Sequence, residues 1–173
     1  SYEIKVLWLP GRSQSSEGQW SASGLRPIRF SDQGKRTLVT VADWAKQTVK
    51  LPLADAEMTL QEGSQDKLSV WVQLGGWVAC DPKAWSKGSR IALPVWGSSE
   101  NEWWTWRSNG WAPLTTPLGE RQALQLTRMP GQGGDSRIDL WFVPEWGALP
   151  ARIRVEQSNG EEADQVLTER VSP

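Results

Sequence analysis

Short connections constrain this chain more than any other feature. Runs of alternating apolar and polar residues are separated by brief turn signals: Pro10-Gly11, Gln33-Gly34, Asn109-Gly110, Leu118-Gly119, Gly131 to Gly134 and Asn159-Gly160. A parallel crossover needs a dozen or more residues, so strands joined this tightly reach only an antiparallel neighbour. In the first run, Tyr2, Ile4, Val6 and Trp8 share one face while Glu3 and Lys5 share the other, the period of a half-buried strand. Similar runs occupy 18–22, 25–30, 38–44, 48–51, 90–96, 103–107, 111–115, 122–128, 137–143, 151–157 and 166–171. Asn109-Gly110 reads as a two-residue hairpin turn, because both central positions need positive φ. The expectation is a mainly β fold: a strongly curved antiparallel sheet, a half-barrel or open barrel, built as a meander.

One segment, residues 64–80, breaks the pattern. As a strand it is too long, and Trp71 spoils its polar face. As a helix, Ser64 caps the start and Asp66 lies in the positive first turn. Leu68, Val70, Trp71, Val72, Leu74, Trp77, Val78 and Ala79 then fill an apolar arc of about 220°, leaving Ser69, Gln73, Gly76 and Cys80 on the remainder. So wide an arc predicts one buried helix with the curved sheet wrapped around it.

Composition narrows the function classes. The 173 residues contain no histidine, which removes the Ser-His-Asp and Cys-His nucleophile pairs, the imidazole acid or base and the commonest zinc constellations. No metal site and no cofactor is expected. Cys80, the single cysteine, has no adjoining base or cation and reads as an apolar filler. With 19 basic and 20 acidic residues, the chain lacks the basic excess that phosphate-backbone binding requires, so no nucleic-acid partner is expected. No apolar stretch is long enough to span a bilayer as a helix. The length suits one β-rich domain over residues 1–173.

A collinear set of stretches resembles a known family. It comprises Gly24-Leu25-Arg26-Pro27 to Phe30-Ser31-Asp32, Gln65 to Leu74, Asp81-Pro82 and Trp104-Thr105-Trp106-Arg107. It continues with Thr116-Pro117-Leu118-Gly119, Ala123 to Arg128, Leu140-Trp141 to Pro144, and Leu149-Pro150-Ala151-Arg152-Ile153-Arg154. In order and spacing these resemble the bacterial domain-of-unknown-function family 3108. The resemblance implies an exported, periplasmic or envelope-associated bacterial protein with a curved antiparallel sheet around a helix and no established activity. It also implies further strand sequence before the segment that opens at Tyr2. Where relatives tend to carry alanines in the helix, this chain has Gly75-Gly76 before Trp77, for which simple packing is the first reading and close approach by another backbone or a ligand the second.

The candidate site residues are mostly aromatic, since thirteen residues are tryptophan. Parity and helical phase turn Trp8, Trp20, Trp71, Trp77, Trp104 and Trp106 inward. Trp71, Trp77, Trp104 and Trp106 would line an apolar pocket for a lipid-like ligand, or simply fill the core. Trp96, Trp103 and Trp141 fall on outward faces, with Arg137 among their polar company, and would form a saccharide-stacking platform if they were neighbours. Asp135, Arg137 and Asp139 alternate on one strand face as a surface ion-pair ladder, Asp43 and Asp55 stand apart, and Glu161-Glu162 reads as a turn. No facing carboxylate pair of the glycosidase kind is announced. A non-catalytic envelope domain that binds an apolar or lipid-like ligand, or serves as a scaffold, is therefore expected first. A saccharide-binding module comes second, and a histidine-free carboxylate hydrolase last.

Overall fold

The computed structural model describes residues 1–9, 11–131 and 136–170, without the side chains of residues 7–9 and 12. The chain is mainly β, with strongly curved antiparallel sheet and, among the described residues, a single α-helix. It divides into two compact units, residues 1–70 with 93–103 and residues 71–92 with 104–173.

In the first unit, β1 (Tyr2–Leu9), β2 (Arg12–Ser21), β3 (Gly24–Gln33), β4 (Thr37–Asp43), β5 (Thr48–Leu51) and β6 (Ala56–Thr59) pair in chain order as an antiparallel meander. Phe30, Ala42, Val49 and Leu51 alternate inward and are buried, as period-two spacing requires. Gly18 has to be glycine: a Cβ there would lie 2.4 Å from the Arg26 carbonyl oxygen and 2.8 Å from the Tyr2 ring. A short β7 (Gln65–Asp66) runs parallel to β8 (Arg90–Trp96), with Gln65 opposite Val95 and Asp66 opposite Trp96.

That pairing corrects the expected helix. Residues 65 and 66 are strand, and α1 spans Ser69–Cys80. Its cap is Asp66 in place of Ser64. The Asp66 Oδ1 accepts the Leu68 and Ser69 backbone N–H groups at 2.8 and 2.7 Å, and the Ser69 hydroxyl oxygen accepts the Asp66 N–H at 2.9 Å. This reciprocal capping box satisfies three amides that the first turn would otherwise orphan. Ser64 instead accepts the Gln61 N–H in the preceding turn. The helix is buried on more sides than its polar residues suggest, since Ser69 and Gln73 are buried beside Leu74 and Val78. Cys80 is exposed, not the expected core filler, because it ends the helix on an open side.

The two helix glycines have different causes. A Cβ on Gly75 would lie 1.9 Å from the Ala148 carbonyl oxygen and 2.8 Å from the Phe142 ring, whereas one on Gly76 would meet nothing within 4 Å. Close approach by another backbone, the second of the expected readings, applies to Gly75.

The second unit holds most of β9 (Asn101–Thr116), then β10 (Gly119–Met129), β11 (Arg137–Phe142), β12 (Arg152–Glu156) and β13 (Glu162–Val166). The second sheet has strand order β13-β12-β11-β10-β9-β8-β7. Leu124, Leu126, Leu140 and Phe142 are completely buried, each worth roughly 1.5–3 kcal/mol relative to exposure.

Asn109-Gly110 is not a hairpin turn. β9 runs straight through it, and Gln125 opposes Gly110 while Leu126 opposes Ser108, so Asn109 is the extra residue of a β-bulge. Gly110 supplies the positive φ, +95°, and the Asn109 amide donates to the Thr127 hydroxyl at 2.8 Å. A bulge demands the same backbone freedom as a primed turn, which is why the dipeptide does not distinguish them. Among the described residues the last strand lies at 162–166, with 167–170 outside it, and takes in Glu162 from the expected turn; residue 171 of the expected 166–171 strand lies outside the described residues. Residues 132–134 of the expected Gly131 to Gly134 turn lie outside the described residues.

Candidate functional site

Of the six tryptophans expected inward, Trp71, Trp104 and Trp106 are buried, at 5%, 4% and 0% exposure. Trp77 is half-buried, and the Trp8 side chain lies outside the described residues. The Trp104 and Trp106 ring centroids are 6.3 Å apart and tilted by 55°, and the Arg128 guanidinium sits 4.0 Å above Trp104. The Trp106 Nε1–H is buried with no hydrogen-bond partner among the described residues. Trp20 is a correction: it is 65% exposed, near the end of β2 just before the turn at Ala22, and meets Tyr2 edge-on at 6.2 Å.

The outward set divides as well. Trp103 is 57% exposed as expected, but Trp96 is completely buried. Parity fails there because β8 is buried at every position from Leu93 to Trp96, so neither face is open. Trp141 is half-buried against a small cluster of Leu114, Ala123, Val143 and Ala151, with the Arg152 guanidinium 4.8 Å from its ring centre. Trp103 belongs to the first unit and Trp141 to the second. Arg137 is exposed but engaged, its Nε donating to Asp139 at 3.0 Å.

The two buried carboxylates among the described residues, Asp66 and Asp139, are committed to structure. Asp139, expected on the polar face, is buried because Thr127 stands directly opposite on β10. Its Oδ1 accepts from the Thr127 hydroxyl and, at 3.3 Å, from the Gln125 amide. Asp135 lies outside the described residues. Asp43 holds Lys46 at the surface at 3.1 Å, and Asp55 is exposed in a turn with φ of 46°. Asp66 is completely buried; burial pushes its carboxyl up to about 6, against the opposing pull of its hydrogen bonds to Ser16, Ser69 and Leu68. The Ser16 hydroxyl donates to its Oδ2 at 2.5 Å. Burial, and then the Asp66 charge, raise the nearby Tyr2 phenol well above its ordinary range.

An open groove in the second unit, of about 460 Å³, was not anticipated. The chain leaves α1 into a short 3-10 turn, Pro82–Ala84, which Trp85 ends in extended conformation with its N–H on the Pro82 carbonyl. A second such turn, Pro144–Trp146, brings Pro144 and Glu145 to the same groove. Trp111, one residue past the bulge, contributes a ring that is 37% exposed. Its Nε1–H donates to the Trp85 carbonyl oxygen at 3.0 Å, which ties the two segments together. Lys83 and Gln122 complete the lining. The available signal was the pair of Pro-started segments, Pro82-Lys83-Ala84-Trp85 and Pro144-Glu145-Trp146, since proline favours the first position of such a turn. The first unit carries its own groove of about 500 Å³, between Tyr2, Glu17, Gly18 and Arg29.

Among the described residues there is no group of three or more side chains able to hold a metal ion, and no catalytic constellation. No described helix is long and apolar enough to cross a membrane. These features define a β-rich domain with an open groove that carries two tryptophans. Over residues 2–168 the chain matches the model of DUF3108, a protein family of unknown function, and it belongs to that family. The family is associated with exported proteins of the bacterial envelope, consistent with a periplasmic location. Comparison with curated proteins and with solved structures found no match.

Proposed function

We propose that this chain is a non-catalytic binding domain of the bacterial envelope that takes its ligand on an open aromatic surface. The observation that carries the reading is the Trp85–Trp111 groove, in which two indoles and two proline rings stand at the surface beside Lys83, Gln122 and Glu145. A concave apolar surface edged by a few polar groups is the usual form of a small-ligand site. The carboxylates support the non-catalytic half. A buried acid with a raised pKa ordinarily marks a catalytic candidate, but both Asp66 oxygens already accept from the fold's own donors. Asp139 is likewise occupied by Thr127, Gln125 and Arg137.

The interior alternative is an apolar or lipid-like group held against Trp71, Trp77, Trp104 and Trp106. The partnerless Trp106 N–H favours it. The near-zero exposure of Trp71, Trp104 and Trp106 speaks for rings that already fill their space. The platform of Trp96, Trp103 and Trp141 loses support with the burial of Trp96.

Tryptophan fluorescence, titrated with phospholipid micelles, neutral oligosaccharides and proline-rich peptides, tests the reading. A response that disappears in Trp85→Ala and Trp111→Ala but survives in Trp106→Phe is expected. A response lost only in Trp106→Phe would transfer the site to the interior, and silence across the panel would overturn the proposal.

A further inference from the structure

We infer that the Trp85–Trp111 groove is a saccharide site, built for a neutral pyranose unit. This rests on the binding reading above and adds the ligand's class. A pyranose ring has an apolar C–H face and a rim of hydroxyls that both donate and accept. It is held where a flat apolar surface is flanked by mixed donors and acceptors within reach of the ring edge. The groove supplies both parts: Trp85, Trp111 and the proline rings as the surface, with Lys83, Gln122 and Glu145 around it. The ammonium donates, the carboxylate accepts, and the amide does both.

Charge selects among amphipathic ligands. One cation, one anion and one amide leave the lining without net charge, so it offers no preference for a polyanion such as an acidic glycan or a phosphate headgroup. The indole hydrogen bond separates sugar from peptide. Proline-rich peptides dock on aromatic grooves in an extended left-handed helix, with a tryptophan N–H available to meet a peptide carbonyl. Here the Trp111 N–H is already spent on the Trp85 carbonyl oxygen at 3.0 Å. What Trp111 offers is its ring, tied to the Trp85 backbone before any ligand arrives, which lowers the ordering cost of stacking. At about 460 Å³ the groove lies toward the smaller end of ligand sites, suited to a short saccharide segment and not to a long acyl chain.

The test is calorimetric titration of the whole chain with maltotriose, cellotriose and triacetylchitotriose. Polygalacturonate serves as the acidic comparator and decaproline as the peptide comparator. At least one neutral trisaccharide is expected to bind, with an affinity reduced about tenfold or more in Trp111→Ala. Glu145→Ala, a change at an exposed position, is expected to fold normally and to weaken binding by a smaller factor. Trp103→Ala, in the other unit, is expected to change nothing. Should the tryptophan variant fail to fold, Glu145→Ala and Gln122→Ala together decide, and unaltered affinity in both overturns the inference. Decaproline or polygalacturonate binding that is lost in the same variants, with no trisaccharide bound, would refute the saccharide class while leaving the groove a binding site. No binding by any probe would refute both readings.

Discussion

Replacing Asp66 by asparagine isolates the energetic cost of one buried charge. Its carboxyl is completely buried at the start of α1, caps the Leu68 and Ser69 amides, and takes a proton-donating contact from Ser16. Burial raises its pKa to about 6, against about 3.9 in an unfolded chain. Between about pH 4 and pH 6 the folded protein therefore holds a proton that the unfolded chain has released. The stability this proton supplies is complete below about pH 4 and disappears as the pH rises through 6. At 1.36 kcal/mol per unit the difference is on the order of 3 kcal/mol. Asparagine retains the carbonyl oxygen that accepts the two amides, and its NH2 can donate to the Ser16 oxygen, so the cap survives without the titration. Urea unfolding of both proteins at pH 4, 5, 6 and 7 gives the difference between them. The asparagine variant should gain on the order of 3 kcal/mol on the wild type from pH 4 to pH 7, with other carboxylates cancelling. A difference that stays flat across this range would refute the assignment of a buried, titrating Asp66.

Three further outcomes follow from packing. Gly75→Ala forces a Cβ into the Ala148 backbone and should destabilise by about 2–3 kcal/mol, whereas Gly76→Ala, in open space, should stabilise by about 0.5–1 kcal/mol; equal denaturation midpoints for the two would contradict the geometry. Asp139→Ala should cost about 2–3 kcal/mol in chemical denaturation, since Thr127 and Gln125 lose a buried acceptor. Arg154→Ala removes a paired contact to Glu162 on an exposed strand face and should leave the thermal midpoint nearly unchanged; a clear drop in thermal melts at high salt would show that the pair does more than a surface bridge.

Features set by local physics were legible in the sequence. Alternation located most strands because one face of each meets the core, as at Ile138, Leu140 and Phe142. Asn159-Gly160 marked a true hairpin, with Gly160 at positive φ and Glu156 opposite Glu162. Legibility ended where one local signal serves two structures. The Asn109-Gly110 bulge and a hairpin turn ask the same of the backbone, and a two-residue strand at Gln65–Asp66 has no period to read. The capping box was present as Asp66-Lys67-Leu68-Ser69, but Ser64 offered an equally acceptable cap two residues earlier. Parity misplaced Trp96 because it presumes one solvated face, and β8 has none from Leu93 onward.

The candidate site was hidden for a different reason. Its lining comes from the turn after α1, from β9 and β10, and from the turn after β11, stretches with no shared period in the chain. Each tryptophan considered alone has an ordinary structural explanation. What distinguishes Trp85 and Trp111 is the hydrogen bond between them, which joins an exposed ring to a turn backbone. A tryptophan needed only to fill space would gain most by burying its ring, as Trp106 does, even with its N–H left partnerless. Trp111 has the reverse arrangement, with its polar atom satisfied and its apolar ring partly in water. It is this exposed, fixed ring on which the proposed site is built. In a chain without histidine, whose buried carboxylates are occupied by its own capping and cross-strand bonds, this aromatic surface carries the strongest functional reading.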